Sequence, residues 1–127
     1  MAINKVKKIK NKKKPKSRTQ KDCDRLLSPL IIKMFPRCLL CGRPTEVAHH
    51  HIHKSKSLVL RYNLKNLINL CGKCHLKLHW NESYWASKIV EINGLGWFKQ
   101  LDREKNRIIK PNYNKSYQEL KDYEKEL

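Results

Sequence analysis

The sequence predicts a small α+β domain clamped by a metal, and three observations predict it. Cys38-Leu-Leu-Cys41 and Cys71-Gly-Lys-Cys74 are two C-x-x-C pairs. Four of the five cysteines and all six histidines fall within residues 38–80. Beyond Trp80, apolar residues recur at helical spacing between recognisable caps.

Each C-x-x-C pair sets two thiolates on a tight turn, and two such pairs complete the tetrahedral set that zinc prefers. Gly42 and Gly72 sit where these turns call for a relaxed backbone. A structural zinc held by Cys38, Cys41, Cys71 and Cys74 is therefore expected. Such a site supplies on the order of 10 kcal/mol of folding free energy, comparable with the whole stability of a small domain. A redox dithiol would need one pair rather than two. The 29 residues between the pairs exceed an ordinary zinc ribbon, so something is inserted there, and the insert carries the histidines. Cys23 lies outside both pairs and reads as a free thiol.

The chain has 127 residues, enough for one domain, with 39% hydrophobic and 8% aromatic residues. Its 29 Lys and Arg against 11 Asp and Glu give a net charge of +18. That excess repels itself unless a polyanion neutralises it. Nucleic acid is the first candidate, and an anionic membrane surface the weaker one. No apolar stretch is long enough to span a bilayer, and the N-terminus lacks the apolar core of a signal peptide, so a cytoplasmic or nucleoid location is expected.

Residues 1–21 hold ten Lys or Arg and no acidic residue. They read as a disordered basic arm that tracks phosphates through Lys8, Lys10, Lys12, Lys13, Lys14, Lys16 and Arg18, with a solubility tail or an import signal as other uses. The domain proper is expected over 22–127. Leu26 to Ile32 form an apolar patch that Pro29 interrupts, suggesting a short helix or an extended lead-in. Asn81 and Gly94 bracket a helix running to about Asn93. Ser116 and Glu119 suggest a capping box for a last helix through Glu126. Tyr84, Trp85, Ile89, Ile92, Trp97 and Phe98 read as core packing. Together, 81–127 form a helical tail.

The insert reads Val47-Ala48-His49-His50-His51-Ile52-His53, then Leu60-Arg61-Tyr62-Asn63 and Asn66, before Leu70-Cys71-x-x-Cys74-His75. A helix starting near Cys74 puts His75 and His79 at i and i+4, facing the same way. Two such imidazoles with a third from a preceding strand can hold a divalent ion with open positions, the mark of a catalytic metal. This order of residues resembles the HNH endonuclease family, especially the small forms encoded by bacteriophages. The resemblance is tight over 38–80, looser in the Trp-rich tail, and absent from the arm.

The resemblance implies a ββα-metal, treble-clef-like fold: two short strands and a helix clamped over one catalytic ion (Mg, Mn, Ni or Zn). It implies His51 as general base, with His50, His75 and His79 as ligands of that ion. Asn66 would tether the loop that orients the base, and Arg61 would clamp a phosphate. A one-residue shift would make His49 the ligand and His50 the base, with the chosen register resting on His-His-Ile ahead of Leu60-Arg61. His49 and His53 are then bystanders or phosphate contacts.

The expected function is metal-dependent hydrolysis of DNA phosphodiester bonds with low sequence specificity, by nicking or double-strand cleavage. The alternatives are a non-catalytic, zinc-dependent nucleic-acid-binding module and a structure-selective nuclease aiding phage recombination.

Overall fold

A computed structural model describes residues 17–127. Helix α1 spans Gln20–Met34. Thr19 caps it by accepting from the Asp22 amide, while the Asp22 carboxylate accepts from the Thr19 amide at 2.9 Å. This reciprocal box contributes about 1 kcal/mol. Cys23, Leu27, Leu30 and Ile31 follow at i, i+4, i+7 and i+8 and form its buried stripe. Pro29 lies inside the helix on its exposed side, where the bond lost by its missing N–H faces water. The expected interruption is therefore one continuous helix, and Gln20 and Lys21 belong to it rather than to the arm. Lys8 to Lys16 lie outside the described residues.

Strands β1 (Val47–His50) and β2 (Leu67–Leu70) pair antiparallel, Val47 with Leu70 and His50 with Leu67. Between them sit a single helical turn, α2 (Leu58–Arg61), and a 3-10 turn over Leu64–Asn66. After β2 come α3 (Gly72–Trp80), α4 (Glu82–Asn93), α5 (Leu95–Glu104) and α6 (Tyr113–Lys125). Gly94, at φ 96°, turns the chain between α4 and α5 as its position suggested. The last helix begins earlier than expected: Asn112 caps it by accepting from the Lys115 amide at 3.1 Å, leaving Ser116 in the first turn.

The two-stranded sheet has a core on each face. Ile68 and Leu70 pack with Cys38, Cys71, Cys74, Leu78 and Ile89, against α3 and α4, and Val47 joins them. Leu67 packs with Cys23, Leu27, Leu30, Ile31 and Leu120, against α1 and α6, and Ala48 joins that side. Since alternate strand residues face opposite ways, His49 shares the α3 side with Val47, and His50 shares the α1 side with Ala48. Cys23 is fully buried and its thiol donates to the Tyr113 carbonyl at 3.3 Å. The architecture is the small α+β metal domain that the cysteine pairs predicted. Among the described residues no helix is long and apolar enough to cross a membrane.

Candidate active site and metal centre

The first cysteine pair sits in a turn closed by an antiparallel bridge between Arg37 and Pro44. The Cys38 amide donates to Arg43 at 2.6 Å and the Gly42 amide donates to Cys38 at 3.0 Å. Gly42 takes φ 77°, which favours glycine. Gly72 does not share that need: it opens α3 with an ordinary φ, and its amide donates to Glu46 Oε1 at 3.0 Å. Cys71 is the N-cap of α3, its sulfur accepting from the Cys74 amide.

The four sulfurs of Cys38, Cys41, Cys71 and Cys74 all lie within 4.8 Å of one another. Four thiols so gathered, three of them buried, fit a tetrahedral structural ion such as zinc. Burial pushes the Cys71 thiol up, but the Cys74 amide and the neighbouring thiols outweigh it and bring it down to about 7. One thiolate is thus within reach at neutral pH before any metal arrives.

β1 delivers the histidines to two sides. The His49 ring lies 5.3 Å from that of His75, which lies 4.6 Å from that of His79, one turn further along α3. The strand histidine whose ring meets His75 is therefore His49, where the first register had His50. His50 turns the other way, and its Nε2–H donates to the carbonyl of Arg61 at 2.9 Å. His49, His50, His53, Lys54, His75 and His79 line one cleft of about 460 Å³, together with Asp24 and Ser28.

His51 does not line that cleft. Its ring packs 4.8 Å from Trp97 and 5.7 Å from Phe98 on α5. Its Nδ1 is buried without a hydrogen-bond partner. His53 is exposed and meets Glu82.

Burial depresses several of these imidazoles. It lowers His49 to about 3, with His75 adding to the effect. It lowers His50 against the opposing pull of the Arg61 carbonyl, and it lowers His51 and His75. Neutral imidazoles result, each with a lone pair for a metal or a proton.

Asn66 is fully buried and holds the end of β1 in place. Its Oδ1 accepts from the Ile52 amide at 2.8 Å, and its Nδ2 donates to the carbonyls of Ile52 and Leu60. Its own carbonyl accepts from the His51 amide at 2.9 Å. Arg61 is engaged elsewhere than the expected phosphate: Nε and a terminal nitrogen donate to the two oxygens of Asp24 at 3.0 and 2.7 Å. Arg18 lies over the Tyr117 ring at 4.0 Å.

The HNH endonuclease family model matches residues 38–80, which span both cysteine pairs, both strands and α3. The matched residues thus form an HNH-like segment. The HNH segment makes the protein nuclease-like and implies a nucleic-acid substrate. No curated protein and no solved structure matches the chain. The HNH segment is covered on both faces by helices that lie outside it. Those helices supply two side chains to which the sequence reading gave no site role, Asp24 from α1 and Trp97, read there as core packing, from α5. Trp97 donates from Nε1 to the Lys65 carbonyl at 2.7 Å while its ring covers His51. Neither has a local signal, because each acts on a partner more than 30 positions away.

Proposed function

We propose that the protein is a metal-dependent endonuclease hydrolysing DNA phosphodiester bonds, with His49, His75 and His79 holding the catalytic ion and His50 as general base. The observation that carries this reading is the row of rings from His49 through His75 to His79 along one cleft, with His50 beside it. The donor chemistry suits such an ion: three imidazoles from β1 and α3, two of them kept neutral by burial, would leave coordination positions for substrate and water. Bound there, a divalent ion supplies Lewis acidity at the phosphate and at the departing 3′ oxygen.

His50 supplies the proton chemistry. With Nε2–H donated to Arg61, the lone pair sits on Nδ1. It takes a proton from the attacking water as the new O–P bond forms and the bond to the 3′ oxygen breaks. Asn66 keeps the strand end from drifting, and exposed Lys54 on the rim suits a non-bridging phosphate oxygen. The basic arm raises affinity without reading sequence, since phosphate contacts carry no base code. A phage source and low sequence specificity belong to the same reading.

Conversion of supercoiled plasmid to nicked and linear forms tests it, with Mg, Mn, Ni and Zn in turn. Cleavage by the wild type, lost in His50→Ala and His75→Ala at matched DNA binding but kept in His51→Ala, is the expected result. Loss with His51→Ala and retention with His50→Ala would restore the first register. No cleavage with any ion by folded, zinc-loaded, DNA-bound protein would leave a non-catalytic binding module.

A further inference from the structure

Helix α1 lies outside the family-matched segment, yet one of its carboxylates reaches the cleft. Asp24 lines it beside His49 and His50. Both Asp24 oxygens are taken by the fork of Arg61, and the Tyr62 hydroxyl donates to Oδ1 at 2.9 Å. Arg61 ends α2, a helix of only four residues whose last carbonyls have no partners within the helix. One of those carbonyls, that of Arg61 itself, accepts from His50 Nε2.

Resting on the nuclease reading above, we propose that Asp24 is a positioning residue for His50, acting through Arg61. A four-residue helix is marginal by itself. A two-pronged bond to a rigid 15-residue helix fixes Arg61 in place and orientation, and so aims its carbonyl. The aimed carbonyl selects the Nε2–H tautomer of His50 and holds its ring plane, leaving the lone pair on Nδ1. The Arg61 side chain is 11% exposed, so water competes poorly for the fork. A plain tie between α1 and α2 would stabilise the fold without selecting a tautomer, and that difference is measurable.

The experiment uses the full zinc-loaded chain with ring-15N histidine, in wild type, Asp24→Asn, Asp24→Glu and Arg61→Lys. Long-range 1H–15N spectra read the His50 tautomer, assigned by the signal missing from His50→Gln, and plasmid cleavage reads kcat and KM. In Asp24→Asn and Arg61→Lys, His50 should become a mixture of tautomers. Their kcat should fall about ten- to hundredfold, the usual cost of losing a group that orients a site residue, with KM for DNA unchanged. Asp24→Glu, which keeps the carboxylate, should recover part of both. Arg61→Lys retains charge and stem, so it gives the answer if Asp24→Asn fails to fold. A single Nε2–H tautomer and wild-type kcat in the folded variants would overturn the proposal. The tautomer reading needs no turnover: a wild type that cuts no DNA would sink the nuclease reading, while the spectra still decide whether Asp24 positions His50.

Discussion

The carboxamide of Asn66 binds both backbone groups of Ile52, accepting from its amide at 2.8 Å and donating to its carbonyl at 2.9 Å. A side chain that mimics a strand neighbour at this point continues the β1–β2 pairing to Ile52, two residues beyond His50, where β1 itself ends. Asn66→Ala should leave the half-buried Ile52 groups and the buried Leu60 carbonyl unpaired, at up to about 1–3 kcal/mol for each one lost. Urea unfolding midpoints measure that loss. Asn66→Asp, which can accept but not donate when ionised, should cost at least as much.

Removal of the structural ion should unfold the domain rather than merely silence it. The four cysteines join the first turn to the start of α3, and Cys38, Cys71 and Cys74 are themselves residues of the core under α3 and α4. A strong chelator should abolish the near-ultraviolet circular dichroism of the tryptophans, and added zinc should restore it. Cys71→Ser should need far more zinc to fold, since it replaces the one thiol lowered to about 7. Retention of native structure in the metal-free protein would refute this.

His51 carries an orphaned nitrogen among aromatic neighbours. His51→Phe keeps the ring and removes the unpaired atom, so thermal stability should hold or rise by up to about 1–2 kcal/mol. DNA cleavage should persist in this variant. A loss of several kcal/mol would mean that Nδ1 has a partner in solution.

Acid should weaken the fold before any carboxylate titrates. His49 protonates near 6.5 when unfolded and only near 3 when folded, because burial and His75 oppose its charge. Between those values the unfolded chain binds the extra proton, so its contribution is complete above about pH 6.5 and declines as pH falls toward 3. The limiting slope is about 1.4 kcal/mol per pH unit for one group. Acid also weakens thiolate–metal bonds, so the difference between wild type and His49→Asn isolates the histidine. That difference should shrink steadily from pH 6.5 to 4 in urea titrations without added divalent ion.

What the sequence makes legible here is local. Cys38, Cys41, Cys71 and Cys74 announce themselves because metal ligation imposes spacing, and His75 and His79 because a helix imposes another. The Gly94 stop and the Asn81 start follow from backbone preferences of single residues. Pro29 misleads, since what matters is whether its missing N–H faces water, and that depends on which side of α1 is buried. The histidine triplet is ambiguous for a related reason. Alternation assigns His49 and His50 to opposite sides only if the strand runs through His50, and that extension depends on pairing with Leu67, 17 positions away. Arg61 illustrates the remainder: a guanidinium suits a phosphate or a carboxylate equally, and its partner Asp24 is 37 positions distant.

The two cores on opposite faces of one small sheet bear on how portable the family-matched segment is. Residues 38–80 hold the knuckles, both strands and α3, yet the face carrying Ala48 and Leu67 is roofed by α1 and α6. A graft of that segment alone onto another scaffold would arrive with one side of its sheet bare to water and His50 without the Asp24 tether. A working transplant has to carry its flanks with it, so the unit to move runs from Thr19, the cap of α1, to the end of α6.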